Sequence, residues 1–298
     1  MRILVTGVSG QVGTALIARL HNEDVIAASR SVIDLAQPNN IAPVLQQLNP
    51  AIVINAAAYT AVDQAETERE LARVVNSVAP GVIARWASAK GVALIHFSTD
   101  YVFDGRGQTC WREDDATGPL SVYGRTKLDG EHAIRAAGGT FLIVRTSWVY
   151  AATGKNFLRT IARLAREREQ LRIVADQIGA PTSAALIADC VQKMLNGDVE
   201  SFRDHCALSN DVVHLAASGE TSWYGFACAI VDGLRKRGVH LTVDEVVPIK
   251  TEDYPTPAKR PLNSRLDLTR LRQVFKIAPA HWLDALEPEL DVLAEELR

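Results

Sequence analysis

Residues 1–13 read MRILVTGVSGQVG, and this stretch decides the fold. Arg2 to Val5 form a short apolar run, Gly7, Gly10 and Gly13 follow at intervals of three, and an amphipathic stretch runs from Gln11 to Leu20. A strand that turns on glycines directly into a helix is the phosphate-binding corner of a dinucleotide fold. Gly7 permits the tight turn, Gly10 lets a pyrophosphate approach the backbone, and Gly13 lets the helix pack close to the sheet. The helix N-terminus adds unpaired N–H groups and a partial positive charge. Elsewhere such glycines would read as a simple turn; here they open a strand–helix alternation.

That alternation continues outward. Further strands are expected at Asp24 to Ala28, Ala51 to Asn55, Val92 to Ser98 and Phe141 to Thr146, nearly continuous in apolar residues as a sheet covered on both faces requires. Amphipathic segments at Ile41 to Leu48, Leu71 to Lys90 and Val122 to Ala137 supply the crossovers. The fold class is α/β, a Rossmann-type doubly wound parallel sheet. The second half is less regular. Helices are expected at Asn156 to Arg168, Ala184 to Leu195 and Ser222 to Arg237, with short strands near Leu171 to Ile173, Val212 to Leu215 and Val246 to Ile249. YPTPAKRP, Tyr254 to Pro261, reads as extended loop because its prolines prevent helix. The acidic amphipathic segment from His281 to Arg298 reads as interrupted at Pro288.

Composition narrows the function classes. The 298 residues are 47% hydrophobic and 22% charged, which excludes disorder, collagen and coiled coil. A net charge of -3 argues against a nucleic-acid surface. No apolar stretch is long enough to span a membrane, and the N-terminus lacks a secretory apolar core, so a cytoplasmic location is expected. The four cysteines form no CxxC pair and read as thiols, mostly buried; no zinc spacing is present.

After the second strand the chain reads AASRS, presenting Ser29 and Arg30 and no carboxylate. An acid there would bind the 2′-hydroxyl of NAD, whereas an arginine suits a 2′-phosphate. NADPH is therefore expected over NADH, the weaker alternative, with Asp34 and Leu35 nearer the adenine. A solvated Arg30 is the plain alternative reading.

PLSVYGRTKLDGE places Tyr123 and Lys127 four apart at the start of a helix, on one face. A free phenol titrates near 10, and a neighbouring ammonium is expected to lower that, making Tyr123 a usable general acid. Isolated YxxxK spacings are common on surfaces; this one follows the fourth strand of a glycine-loop sheet. That strand ends FSTDYVFDG, bringing Ser98 and Thr99 to the carboxyl end of the sheet, where open α/β folds bind ligands. Thr99 can offer its hydroxyl to a substrate carbonyl, and Asp100 either joins it or bonds a loop.

Taken together, TGxxGxxG, the threonine ending the fourth strand and YxxxK resemble the extended short-chain dehydrogenase/reductases. Within them the chain resembles the dTDP-4-dehydrorhamnose reductase family almost from end to end. NAAAYTAVDQAE (Asn55 to Glu66), FSTDYVFDG, VRTSWVYA (Val144 to Ala151), DQIGAPT (Asp176 to Thr182) and TPAKRPLNSRLD (Thr256 to Asp267) carry the likeness in order. The resemblance implies NADPH-dependent reduction of the C4 ketone of dTDP-4-dehydro-β-L-rhamnose, with Thr99, Tyr123 and Lys127 as the catalytic set. It implies that Gly10, Gln11 and Val12 line the cofactor phosphates and that Ala57, Ala58 and Tyr59 pass along the cofactor. Thr60, Val62, Asp100, Tyr101 and Trp148 are its implied sugar contacts, and Arg260 is the candidate for the nucleotide diphosphate.

The resemblance also divides the chain into a dinucleotide domain at 1–150 and a mainly sugar-nucleotide domain at 151–298, with segments near 184–216 returning to the first. Some members form dimers bridged by magnesium between carboxylates. Ala15 and Ala185 stand at those positions here, so no structural metal is expected, and the chain should be a monomer or a weak homodimer. Two other readings remain: a nucleotide-sugar epimerase or dehydratase on the same scaffold, and a non-catalytic partner protein like the regulatory subunit of methionine adenosyltransferase.

Overall fold

The computed structural model describes residues 1–195 and 199–298. Its centre is a parallel sheet of six strands. Five follow one another in the first half: β1 (Arg2–Thr6), β2 (Asp24–Ala28), β3 (Ile52–Asn55), β4 (Ala93–Thr99) and β5 (Phe141–Thr146). The sixth, Val212–His214, pairs with β5 at one edge. From that edge the order runs Val212–His214, β5, β4, β3, β1, β2. The chain thus goes from β1 outward to β2, then returns past β1 to build β3. A crevice opens at the carboxyl ends where that direction reverses.

Every residue of β3, β4 and β5 is buried, whereas β2, at the open edge, is mostly not. Alternation along the strands divides two cores. Ile3, Val5, Ile54 and Ile95 face helix α1 (Gln11–Arg19) and the Ala184–Met194 helix. Leu4, Val53, Leu94 and Ile143 face the other way, against α2 (Pro38–Leu48) and the Ala79–Lys90 helix. Shortening such an Ile or Leu to Ala costs about 2–5 kcal/mol, because the sheet cannot collapse around the hole. A separate core, built on Tyr150, Leu158, Phe226, Trp282 and Leu290, joins the helices Phe157–Glu167, Trp223–Lys236 and Trp282–Leu297.

Two expectations need correction. The helix expected from Leu71 to Lys90 begins at Arg69 and contains a π-helical turn, Val74–Val78, before the Ala79–Lys90 segment. Pro288 does not interrupt the last helix, which runs unbroken over Trp282–Leu297. Its acidic face is also not wholly solvated, since Glu289 is buried and accepts a hydrogen bond from Ala152 N at 2.5 Å. Ion pairs flank it, Arg237 with Glu287 and Asp291, and Arg159 with Glu296. The helices Val199–Leu208 and Thr269–Phe275 had no expectation attached. Among the described residues the cysteines form no disulfide, and no helix is long and apolar enough to cross a membrane.

Candidate active site

The glycine turn is built as tightly as its spacing demands. Gly7 adopts φ +70°, and a Cβ there would lie 2.6 Å from Ala57 N. A Cβ on Gly13 would lie 2.2 Å from the Gly7 carbonyl oxygen, so the helix is seated directly on the turn. Gly10 caps α1 without a side-chain hydrogen bond, and the first turn carries no acid. The leading amides of α1 are therefore available to an anion. Gln11 is steadied by Asn156, whose Nδ2 donates to Gln11 Oε1 at 2.9 Å.

A cleft of about 690 Å³ runs from this turn across the carboxyl ends of the strands. Gly7, Gly10, Gln11 and Val12 line one wall, with Arg30, Asp34 and Leu35 at its outer end. Ala57, Ala58, Thr60 and Val62 line it as well, Ala57 directly beside Gly7. Thr99, Asp100, Tyr101, Tyr123, Lys127 and Trp148 surround the far end.

Four candidate residues stand off the wall. Gly13 lies beneath the turn. Ser29 faces Ser31, with their hydroxyl oxygens 2.7 Å apart. Tyr59 turns outward, its hydroxyl donating to Glu68 at 2.9 Å, while its backbone N–H donates to Asn76 Oδ1 at 2.8 Å. Arg260 donates from Nη2 to Asp63 at 2.7 Å, and its guanidinium also hydrogen-bonds the Tyr101 phenol.

Several lining residues carried no sequence expectation. Trp223 stacks on Trp148 with ring centroids 3.6 Å apart and planes 10° from parallel. Trp148 itself adopts φ +49°, a left-handed conformation costly for a bulky side chain and held here by the stack. Thr146 and Ser147, at the end of β5, bury hydroxyls without a partner among the described residues. Lys155 places a cation beside the glycine turn. Asn76, fully buried in the π-helical turn, grips the loop after β3 and also donates to Thr126 Oγ1 at 3.2 Å. A π turn leaves no periodicity signature, which is why Asn76 was invisible.

The helix Val122–Ala137 presents the Tyr–Lys pair. Ser121 caps it, accepting from Gly124 N at 3.2 Å. Burial pushes the Tyr123 phenol up to about 12, opposed by its hydrogen bond with Thr99 and reinforced by the Asp100 charge. This corrects the expectation that Lys127 lowers the phenol. The Lys127 Nζ points down, donating to Phe97 O at 2.6 Å and lying 3.2 Å from His96 Nε2. Burial lowers its ammonium to about 8, against the pull of Glu131. Thr99 Oγ1 donates to Asp100 Oδ1 at 3.1 Å and accepts from Tyr101 N at 3.2 Å. Burial raises the Asp100 carboxyl to about 6, opposed by hydrogen bonds from the Ser264 and Thr99 hydroxyls.

The residues present fit a dinucleotide. A cradle that a Cβ would fill, an uncapped helix N-terminus and Arg30 at the outer end suit pyrophosphate and a 2′-phosphate. The fold and cleft define an NADP-type α/β oxidoreductase with a threonine, a tyrosine and a lysine where the cleft ends. The chain belongs to the RmlD substrate binding domain family, which matches residues 1–295. It is 46% identical over 285 residues to a dTDP-4-dehydrorhamnose reductase of Burkholderia thailandensis, covering 95% of each chain. A crystal structure of a dTDP-4-dehydrorhamnose reductase from Clostridium acetobutylicum superposes with a TM-score of 0.90 at 34% identity, over 98% of this chain and 99% of that one. One from Bacillus anthracis, in complex with NADP, gives a TM-score of 0.87 at 32% identity, over 97% and 98%.

Proposed function

We propose that this protein catalyses NADPH-dependent reduction of the C4 ketone of dTDP-4-dehydro-β-L-rhamnose to dTDP-L-rhamnose. The observation that carries the reading is the convergence of Thr99, Tyr123 and Lys127 in the cleft that begins at the glycine turn, in a chain similar over its whole length to reductases of that name.

When bound, NADPH supplies the hydride. The amides of Gln11 and Val12 would hold its pyrophosphate, the Gly10 N–H being spent on the Gly7 carbonyl at 2.9 Å, and Arg30 its 2′-phosphate. Tyr123 is the proton donor to the alkoxide that develops at C4. Reduction needs a donor that is protonated at working pH, and a buried phenol at about 12 is fully so. The Thr99 hydroxyl proton, donated to Asp100 Oδ1 in this structure, would turn to the same oxygen and stabilise its charge. Two of the three Lys127 ammonium protons face Phe97 O and His96, leaving one for the cleft. The stacked Trp148 and Trp223 offer an apolar plate to a deoxysugar face, and Arg260, held by Asp63 and beside Tyr101 at the cleft's end, is the candidate arm for the nucleotide diphosphate.

The test is an NADPH-consumption assay with the enzymatically generated dTDP-ketosugar, run beside its UDP counterpart. One NADPH should be oxidised per dTDP-ketosugar consumed. Binding of NADPH without oxidation would favour a non-catalytic partner protein.

A further inference from the structure

Beneath Lys127 a line of polar side chains crosses three adjacent strands. Thr6 on β1 pairs in register with Asn55 on β3, and Asn55 with His96 on β4. These three and Lys127 are each at most 2% exposed. Thr6 Oγ1 donates to Asn55 Oδ1 at 2.7 Å, Asn55 Nδ2 lies 3.0 Å from His96 Nδ1, and His96 Nε2 lies 3.2 Å from Lys127 Nζ. Polar groups at the centre of an apolar sheet cost stability unless each is paired. The reaction as described leaves Thr6, Asn55 and His96 without a task.

The ladder has two self-consistent proton arrangements. With Asn55 Nδ2 donating to Nδ1, the ring proton sits on Nε2 and meets an unprotonated Lys127 amine. With the Asn55 amide turned over, Nδ2 donates to Thr6 Oγ1, Nδ1–H donates to Oδ1, and Nε2 accepts from the Lys127 ammonium. In both the ring is neutral; burial and the Lys127 charge hold its imidazole well below the usual range. The other titratable or charged groups around the pair are Tyr123 and Glu131 on the same helix, Asp100 after β4 and Arg145 on β5. Arg145 grips Glu131 through two nitrogens at 2.9 and 2.7 Å, and Glu131 favours the Lys127 ammonium.

We propose that His96 is a positioning residue for Lys127, pairing with its charged form and its neutral form through a tautomer change matched by Asn55. The effect on turnover rests on the reductase reading; the pairing does not. His96→Leu removes both roles. His96→Gln keeps an amide near the place of Nε2 that can donate or accept.

The experiment labels lysine with carbon-13 at Cε, assigns Lys127 with a Lys127→Arg control, and follows its titration in protein without sugar, alongside kcat, KM and NADPH affinity. In His96→Leu the pH at which Lys127 loses its proton should fall, because both forms lose a partner but the bond to the charged ammonium is the stronger of the two. Its kcat should fall on the order of 10- to 100-fold with KM and NADPH affinity unchanged. His96→Gln should recover most of both. An unchanged Lys127 midpoint and kcat in His96→Leu overturns the proposal, as does a folded His96→Gln as impaired as His96→Leu. If His96→Leu does not melt cooperatively, His96→Gln decides: native midpoint and turnover support the pairing, a displaced midpoint contradicts it. Wild-type protein inactive on the ketosugar would overturn the functional reading, while the Lys127 midpoints still judge this one.

Discussion

At Tyr123 burial and chemistry pull the same way. A phenol held at about 12 is a poor base but a reliable acid, and the reductive direction needs the acid. Replacing Tyr123 with Phe should lower kcat by about 10²–10⁴-fold while leaving NADPH affinity nearly native, measured by steady-state kinetics and fluorescence titration. The lysine sets the pH dependence. Its ammonium, at about 8, is intact below that value and lost as pH rises through it. If the charged form is the active one, kcat should hold level from neutrality and fall above about 8, with no contribution from Tyr123 in that range. A limb centred near the unperturbed lysine value of about 10.4 would show that the buried setting does not govern turnover.

The elements carry their own test at the seat of α1. A methyl group on Gly13 meets the Gly7 carbonyl at 2.2 Å, a backbone atom that cannot step aside. Gly13→Ala should therefore destabilise the protein by about 1–3 kcal/mol and weaken NADPH binding, read as a lower Tm and a raised Kd. Native values for both would mean the turn is looser than its geometry. This corner was also the most legible part of the sequence, since glycine spacing, strand and helix are all local. The β5 strand and the Val122–Ala137 helix were equally plain, because continuous apolar runs and 3.6-residue periodicity report burial directly. What escaped depends on distant partners. The π-helical turn carries Asn76, whose partners are the loop at Tyr59 and the hydroxyl of Thr126. Trp223 becomes part of the cleft only by stacking on Trp148, 75 residues earlier in the chain. Pro288 reads as a break locally, yet the helix continues because Leu286 and Leu290 on either side are buried in one core. Lys127 was expected to serve Tyr123, and only the fold reveals His96 and Phe97 O beneath it.

Across the whole molecule, a net charge of -3 is compatible with binding anions because the cleft supplies its own positive potential. In the proposed binding mode the amides of α1 and Arg30 would meet the phosphates, with Lys155 also lining the cleft, so no basic surface is required. The same surface logic bears on assembly. Ala15 is half-buried in α1 and Ala185 is exposed on the Ala184–Met194 helix, neither able to ligate a cation. Sedimentation velocity should give the same distribution with and without Mg²⁺; a magnesium-dependent dimer would point to other carboxylates. Net reduction at C4 of the sugar leaves an isotopic signature in the product. With NADPH deuterated at the transferable position of the nicotinamide, the product recovered from the dTDP-ketosugar should carry one deuterium at C4 in the rhamno configuration, with the cofactor oxidised in equal amount. A product without deuterium at C4, formed while NADPH is neither consumed nor needed in stoichiometric amount, would contradict it.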